Sequence, residues 1–154
     1  MPEQRRAVRR HPVAETGGPE AEVTDVPRNE AHGRCMCARV RFAAAFPSRF
    51  CCHCHCESCR RSHGAGFVTW IGFPSAQVRI VAGEDAVAWY TSSPGTRRSF
   101  CRTCGSKLFY ESERWAGETH VALAAFDDPV DRAPSGHVFF DEHVPWIPWP
   151  ETAA

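Results

Sequence analysis

The stretch Phe50-Cys51-Cys52-His53-Cys54-His55-Cys56-Glu57-Ser58-Cys59-Arg60-Arg61 holds five of the chain's nine cysteines. Phe50–Cys54 reads as a strand, whereas Glu57–His63 reads as a helical turn ended by Gly64. Cys54 and Cys56 then share one strand face and Cys59 comes from the first turn of the helix, giving a compact C-x-C-x-x-C tripod. Three thiolates leave the fourth position on a zinc ion open to water or a substrate thiolate, the feature that separates catalytic from structural zinc. A fourth protein ligand would close that position, and His53, His55, His63, Cys51 and Cys52 are the candidates nearby. On a regular strand His53 and His55 point away from Cys54 and Cys56, so they are expected to be supporting or exposed residues before they are ligands. Cys52 shares the ligand face and is expected to be a small buried apolar residue.

Outward from this stretch lie two more cysteine pairs. Cys35 and Cys37 are two apart, on one face of a strand expected over Gly33–Phe46, with Met36, Ala38, Val40 and Phe42 on the other face. Cys101-Arg102-Thr103-Cys104-Gly105 is a C-x-x-C knuckle whose glycine permits the turn that aims both sulfurs at one point. The two pairs supply four thiolates, the closed tetrahedral set of a structural zinc. Disulfides and buried free thiols are the alternatives; an odd cysteine count cannot pair completely within one chain, and a bridge across C-x-C is strained.

The rest of the chain alternates with period two over Phe67–Phe73, Gln77–Ala82, Ala86–Thr91, Thr96–Cys101, Lys107–Glu111, Thr119–Phe126 and His137–Phe140, between turn signals such as Ser93-Pro94-Gly95. This predicts a mainly β domain of antiparallel sheets, with Val144-Pro145-Trp146-Ile147-Pro148-Trp149-Pro150 as an apolar strap over the sheet, because its prolines lack donors. With 154 residues there is room for one domain, placed at 32–150 behind a disordered N-terminal extension over 1–31. No run of eighteen apolar residues exists, so no membrane span is expected. Eighteen Lys and Arg balance eighteen Asp and Glu, which argues against a protein devoted to nucleic acid or anionic lipid. The balance is uneven along the chain: residues 34–114 carry twelve basic and five acidic side chains, whereas residues 115–154 carry one and seven. Part of the basic excess is expected to offset metal-bound thiolates, and the remainder to favour an anionic substrate. The thiol content suits a cytoplasmic protein.

Gly33-x-Cys35-x-Cys37-x-x-Val40, Cys54-His55-Cys56-x-x-Cys59-Arg60-Arg61-x-x-Gly64, Phe67-Val68-Thr69-Trp70 and Phe100-Cys101-x-x-Cys104-Gly105-Ser106 resemble the glutathione-dependent formaldehyde-activating enzyme (GFA) / CENP-V family, over about residues 33–150. The resemblance implies a β-tent fold, a structural zinc on Cys35, Cys37, Cys101 and Cys104, and a second, labile or catalytic zinc on Cys54, Cys56 and Cys59. It implies a carbon–sulfur lyase, S-hydroxymethylglutathione synthase-like, that joins a thiol such as glutathione to an aldehyde such as formaldehyde. Its CENP-V branch implies the alternative, a non-catalytic zinc-stabilised binding module. Arg60, Arg61, Arg97 or Arg98 would meet glutathione carboxylates, because a guanidinium fork matches them bidentately, and Trp70 would wall the pocket or serve the core. Ala38 stands where the family has glycine, and Glu142-His143 replaces its Ser-Lys pair.

Overall fold

A computed structural model of the protein describes residues 29–149; residues 1–28 of the expected extension and the last residues, 150–154, lie outside the described residues. The elements are β1 (Glu30–Arg34), β2 (Arg41–Ala45), β3 (Phe50–Cys54), α1 (Glu57–His63), β4 (Val68–Pro74), β5 (Val78–Ala82), β6 (Val87–Ser93), β7 (Thr96–Cys101), β8 (Lys107–Ser112), β9 (Glu118–Ala122) and β10 (His137–Val138). The fold is mainly β, in two sheets: a three-stranded one ordered β1-β2-β5 and a seven-stranded one ordered β10-β3-β4-β9-β8-β7-β6. Every strand pairing is antiparallel except that of β10 with β3, where the chain returns after a long connection and lies parallel to the cysteine-rich strand. Among the described residues no helix is long and apolar enough to cross a membrane.

The large sheet has two apolar faces with different uses. One face supplies Cys51, Ile71, Phe73, Phe109 and Val121 to the main core, which Phe42 and Ala44 of the small sheet, with Val40 just ahead of β2, complete. Phe42 packs edge-on against both Phe109 and Phe126, with ring centroids 5.3 and 5.1 Å apart. The opposite face gathers Cys54, Cys59, Val68, Trp70 and Ala122, with Phe50 and Tyr110 packed alongside. Period-two alternation explains the division, since Cys51 and Ile71 face one way while Cys52 and Trp70, which oppose each other across β3 and β4, face the other. Gly72 makes room on that second face: a Cβ there would overlap the Phe50 ring.

Several expectations shift. Gly33–Phe46 is a hairpin and not one strand: β1 and β2 pair antiparallel, and the Cys35–Val40 segment between them is a turn closed by hydrogen bonds from Cys35 N to Val40 O and from Ala38 N to Cys35 O. Met36, expected on the strand face opposite the cysteines, lies in this turn and is 78% exposed. β1 begins at Glu30, ahead of the expected domain start. The strand expected over Thr119–Phe126 stops at Ala122 and gives way to a 3-10 turn at Leu123–Ala125. The C-terminal strap divides: Trp149 packs edge-on against His55, Phe67 and His137, whereas Trp146 is mostly exposed.

Candidate functional site

Cys35 and Cys37 leave the β1–β2 turn, Cys101 ends β7, and Cys104 leaves the turn into β8; their four sulfurs lie within 4.8 Å of one another. The Cys35–Cys37 and Cys37–Cys101 sulfurs are 3.5 and 3.9 Å apart. A tetrahedral zinc with bonds of about 2.3 Å requires sulfurs about 3.8 Å apart, and these two separations are close to that spacing. The local backbone is built to aim the sulfurs. Gly105 takes φ +77°, and the Val40 N–H donates to Cys35 Sγ at 3.3 Å. Hydrogen bonds from the Ser106 hydroxyl and backbone pull the Cys104 thiol down to about 5, which favours the metal-binding thiolate.

Ala38 closes the Cys35–Cys37 turn at φ +60°, a conformation that costs a non-glycine residue. Ala38→Gly is expected to stabilise the metal-loaded protein by about 0.5–1 kcal/mol, read by calorimetry as a Tm a few degrees higher. An unchanged or lower Tm would show that this backbone carries no strain.

The second group forms where β3 meets α1. Cys54 ends the strand, Cys56 is the helix N-cap and accepts the Cys59 N–H on its sulfur at 3.4 Å, and Cys59 lies in the first turn. Cys56 thus belongs to the helix boundary and not to the strand face on which it was expected, yet its sulfur is still 3.5 Å from that of Cys54. All three sulfurs lie within 4.8 Å of one another, and among the described residues no fourth His, Cys, Asp or Glu joins them. Cys59 is the best supported of the three. Trp70 Nε1–H donates to its sulfur at 3.4 Å, and both terminal nitrogens of Arg98 lie 3.6 Å from it. Hydrogen bonds from the Cys54 and Cys56 thiols, then the Arg98 charge and the Trp70 N–H, hold the Cys59 thiol far below its ordinary range; the same thiol contacts, with burial, push Cys54 up.

The tripod opens into a cavity of about 600 Å³. Its walls are largely apolar, with Phe50, Trp70 and Tyr110 deep and Trp115, Val138 and Phe139 at 40–49% exposure near the mouth. Two charged side chains line it, Arg98 and Glu118, together with His120 and His137. Glu118 Oε2 is 3.2 Å from His120 Nε2, and its other oxygen accepts from Arg49 at 3.1 Å. Burial pushes His120 below the ordinary histidine range against the pull of Glu118, which favours the neutral imidazole.

Of the expected substrate residues, Trp70 lines this cavity and is nearly buried, so it serves wall and core together. Arg60 and Arg61 do not line it. Arg60 Nε donates to the His55 carbonyl at 2.8 Å, and Arg61 pairs with Glu57 one helical turn away. Arg97 points to the other side of β7, where it pairs with Glu111 and stacks over Trp89. Arg98, its neighbour, is the arginine that the strand alternation delivers to the tripod. His53 and His55 lie away from the sulfurs, His53 against Thr69 and His55 against His137 at 2.8 Å. Cys52 is half-buried on the cavity wall, and Cys51 is the cysteine buried in the core. Glu118 and His120 went unmarked in the sequence: they reach the cavity because β9 pairs with β4, where they oppose Pro74 and Gly72 on the Trp70 side.

A family model described as glutathione-dependent formaldehyde-activating enzyme matches residues 30–142. Over 81 residues the chain is 31% identical to a protein of Schizosaccharomyces pombe named as an uncharacterized lyase, a match that covers 53% of this chain and 57% of the relative. The chain thus spans little more than half the length of that relative. A solved Rhodobacter sphaeroides protein is similar in fold, with TM-score 0.56 and 23% identity over 65% of this chain and 91% of that one.

Proposed function

The chain belongs to the glutathione-dependent formaldehyde-activating enzyme family, and on that premise we propose that it is a zinc-dependent carbon–sulfur lyase-like enzyme acting on a thiol–aldehyde adduct of the S-hydroxymethylglutathione type. One observation carries the proposal: three clustered cysteines, with no fourth ligand among the described residues, open into a cavity large enough for a small molecule. Cys35, Cys37, Cys101 and Cys104 would hold a structural zinc, and Cys54, Cys56 and Cys59 a second one. Zinc at the second group would supply a Lewis-acid position for a thiolate sulfur or an aldehyde oxygen.

The chain's own residues provide the rest. Trp70 and Arg98 draw charge from the Cys59 sulfur and fix its direction. Phe50, Trp70 and Tyr110 keep water from the adduct. His120, neutral and oriented by Glu118, can accept the adduct's hydroxyl proton. When that proton leaves, the carbon–sulfur bond breaks with its electron pair on sulfur and the oxygen lone pair forms the carbonyl, so no oxidant or reductant is needed; the reverse joins thiol and aldehyde. A cytoplasmic setting, where small thiols are plentiful, is part of the same proposal. The alternative of a non-catalytic zinc module draws on a fourth protein ligand closing the tripod.

The test is NMR exchange spectroscopy of zinc-loaded protein with formaldehyde and, in turn, glutathione and benzyl mercaptan. Acceleration of adduct exchange by about tenfold or more over the spontaneous rate is expected for at least one thiol. No acceleration for either would overturn the lyase reading.

A further inference from the structure

Resting on that lyase reading, we propose that the thiol half of the adduct is an uncharged molecule with an aromatic or branched apolar body, and that Glu118 turns carboxylate-bearing thiols such as glutathione away from the cavity.

Glutathione brings two carboxylates and one ammonium, a net negative charge, and each carboxylate needs a cationic partner once it leaves water. Among the described residues the cavity lining contains one cation, and it is committed. Arg98 is 5% exposed; its terminal nitrogens face the Cys59 sulfur, its Nε donates to Ser92 Oγ at 3.2 Å, and its plane lies 4.8 Å over the Tyr110 ring. No guanidinium edge is left to fork a carboxylate. Arg60, Arg61 and Arg97 are tied elsewhere, as described above. The other charged group in the lining is the carboxylate of Glu118, with its side chain 15% exposed. Its cation partner, Arg49, does not line the cavity, so an entering anion meets the acid and not the arginine.

The apolar lining states the positive preference. Phe50, Trp70, Tyr110, Trp115, Val138 and Phe139 make most of the lining apolar. Phe139 is held at φ +54°, a left-handed conformation that is costly for a bulky side chain. Strain of this kind gathers at ligand sites, and here it fixes an aromatic ring at the cavity mouth.

The experiment titrates the full-length zinc-loaded protein with benzyl mercaptan, glutathione and glutathione diethyl ester, following the intrinsic tryptophan fluorescence, to which Trp70 and Trp115 of the cavity contribute, and repeats the series with Glu118→Gln. Benzyl mercaptan is expected to bind about tenfold or more tighter than glutathione, with the diester between them, because apolar burial favours the first and carboxylate desolvation penalises the second. Glu118→Gln is expected to tighten glutathione binding by about threefold or more relative to benzyl mercaptan. Glutathione binding as tightly as benzyl mercaptan, or binding of neither, overturns the proposal; so does a folded Glu118→Gln protein with unchanged glutathione affinity relative to benzyl mercaptan. If that variant fails to fold, the wild-type ratio alone decides. The two readings fail separately. Preferential binding of benzyl mercaptan with no exchange acceleration defeats the lyase reading and leaves the specificity, whereas efficient exchange with glutathione does the reverse.

Discussion

Replacing Cys101 by serine is expected to leave no soluble, folded protein. Cys101 is fully buried in the main core at the end of β7, and its sulfur belongs to the group that joins the β1–β2 turn of the small sheet to the β7–β8 turn of the large one. Apparent zinc binding at such sites is about 10–16 kcal/mol, as large as the whole stability of a domain, about 5–15 kcal/mol. Serine is a poor zinc ligand and would also bury a hydroxyl among apolar neighbours. The measurement is the soluble fraction on expression, with circular dichroism of whatever is recovered. A soluble protein with native circular dichroism and Tm would show that the four-cysteine group does not hold the fold.

Cys56→Ser is expected to behave in the opposite way. Cys56 is half-buried at the start of α1, where its sulfur already accepts the Cys59 N–H, and serine is a better N-cap than cysteine. The helix therefore keeps its start, and the Tm is expected to stay within a few degrees of wild type. What is lost is one of three sulfurs, so the variant is expected to retain one zinc against the two proposed for the wild type and to carry thiol–formaldehyde exchange no faster than the spontaneous rate. If Cys101→Ser and Cys56→Ser lose solubility, metal and exchange alike, the division into a fold-holding group and a reactive group is wrong.

The two cysteine groups were legible because the nearness of their sulfurs is written in local spacing. C-x-C, C-x-C-x-x-C and C-x-x-C each confine their sulfurs within a few residues, and the pairing of the first with the third follows from a closed zinc needing four. The backbone that delivers them was less legible. Cys35 and Cys37 fit a strand face by period, but bringing both sulfurs to one centre takes a turn, and Ala38 enters it at positive φ without the glycine that would have announced it. The strand at His137 shows in its period, but its parallel pairing with β3 spans two backbone partners and has no signal in the sequence. The arginines show a different limit. Arg60 and Arg61 adjoin Cys59 in sequence but project from α1 away from the cavity, whereas Arg98 reaches Cys59 from a strand 39 residues further on. Glu118 and His120 depend on the order of strands in the large sheet, which a period-two pattern cannot supply.

The central claim is that the chain holds one closed and one open zinc. Metal analysis of the purified protein together with zinc-edge X-ray absorption tests it most directly. The expected result is one zinc per cysteine group. One site should have four sulfurs and the other three sulfurs and a light atom, which is replaced by sulfur when benzyl mercaptan is added. A single zinc per chain, or a second site already closed by a fourth protein ligand and unchanged by the thiol, would contradict it.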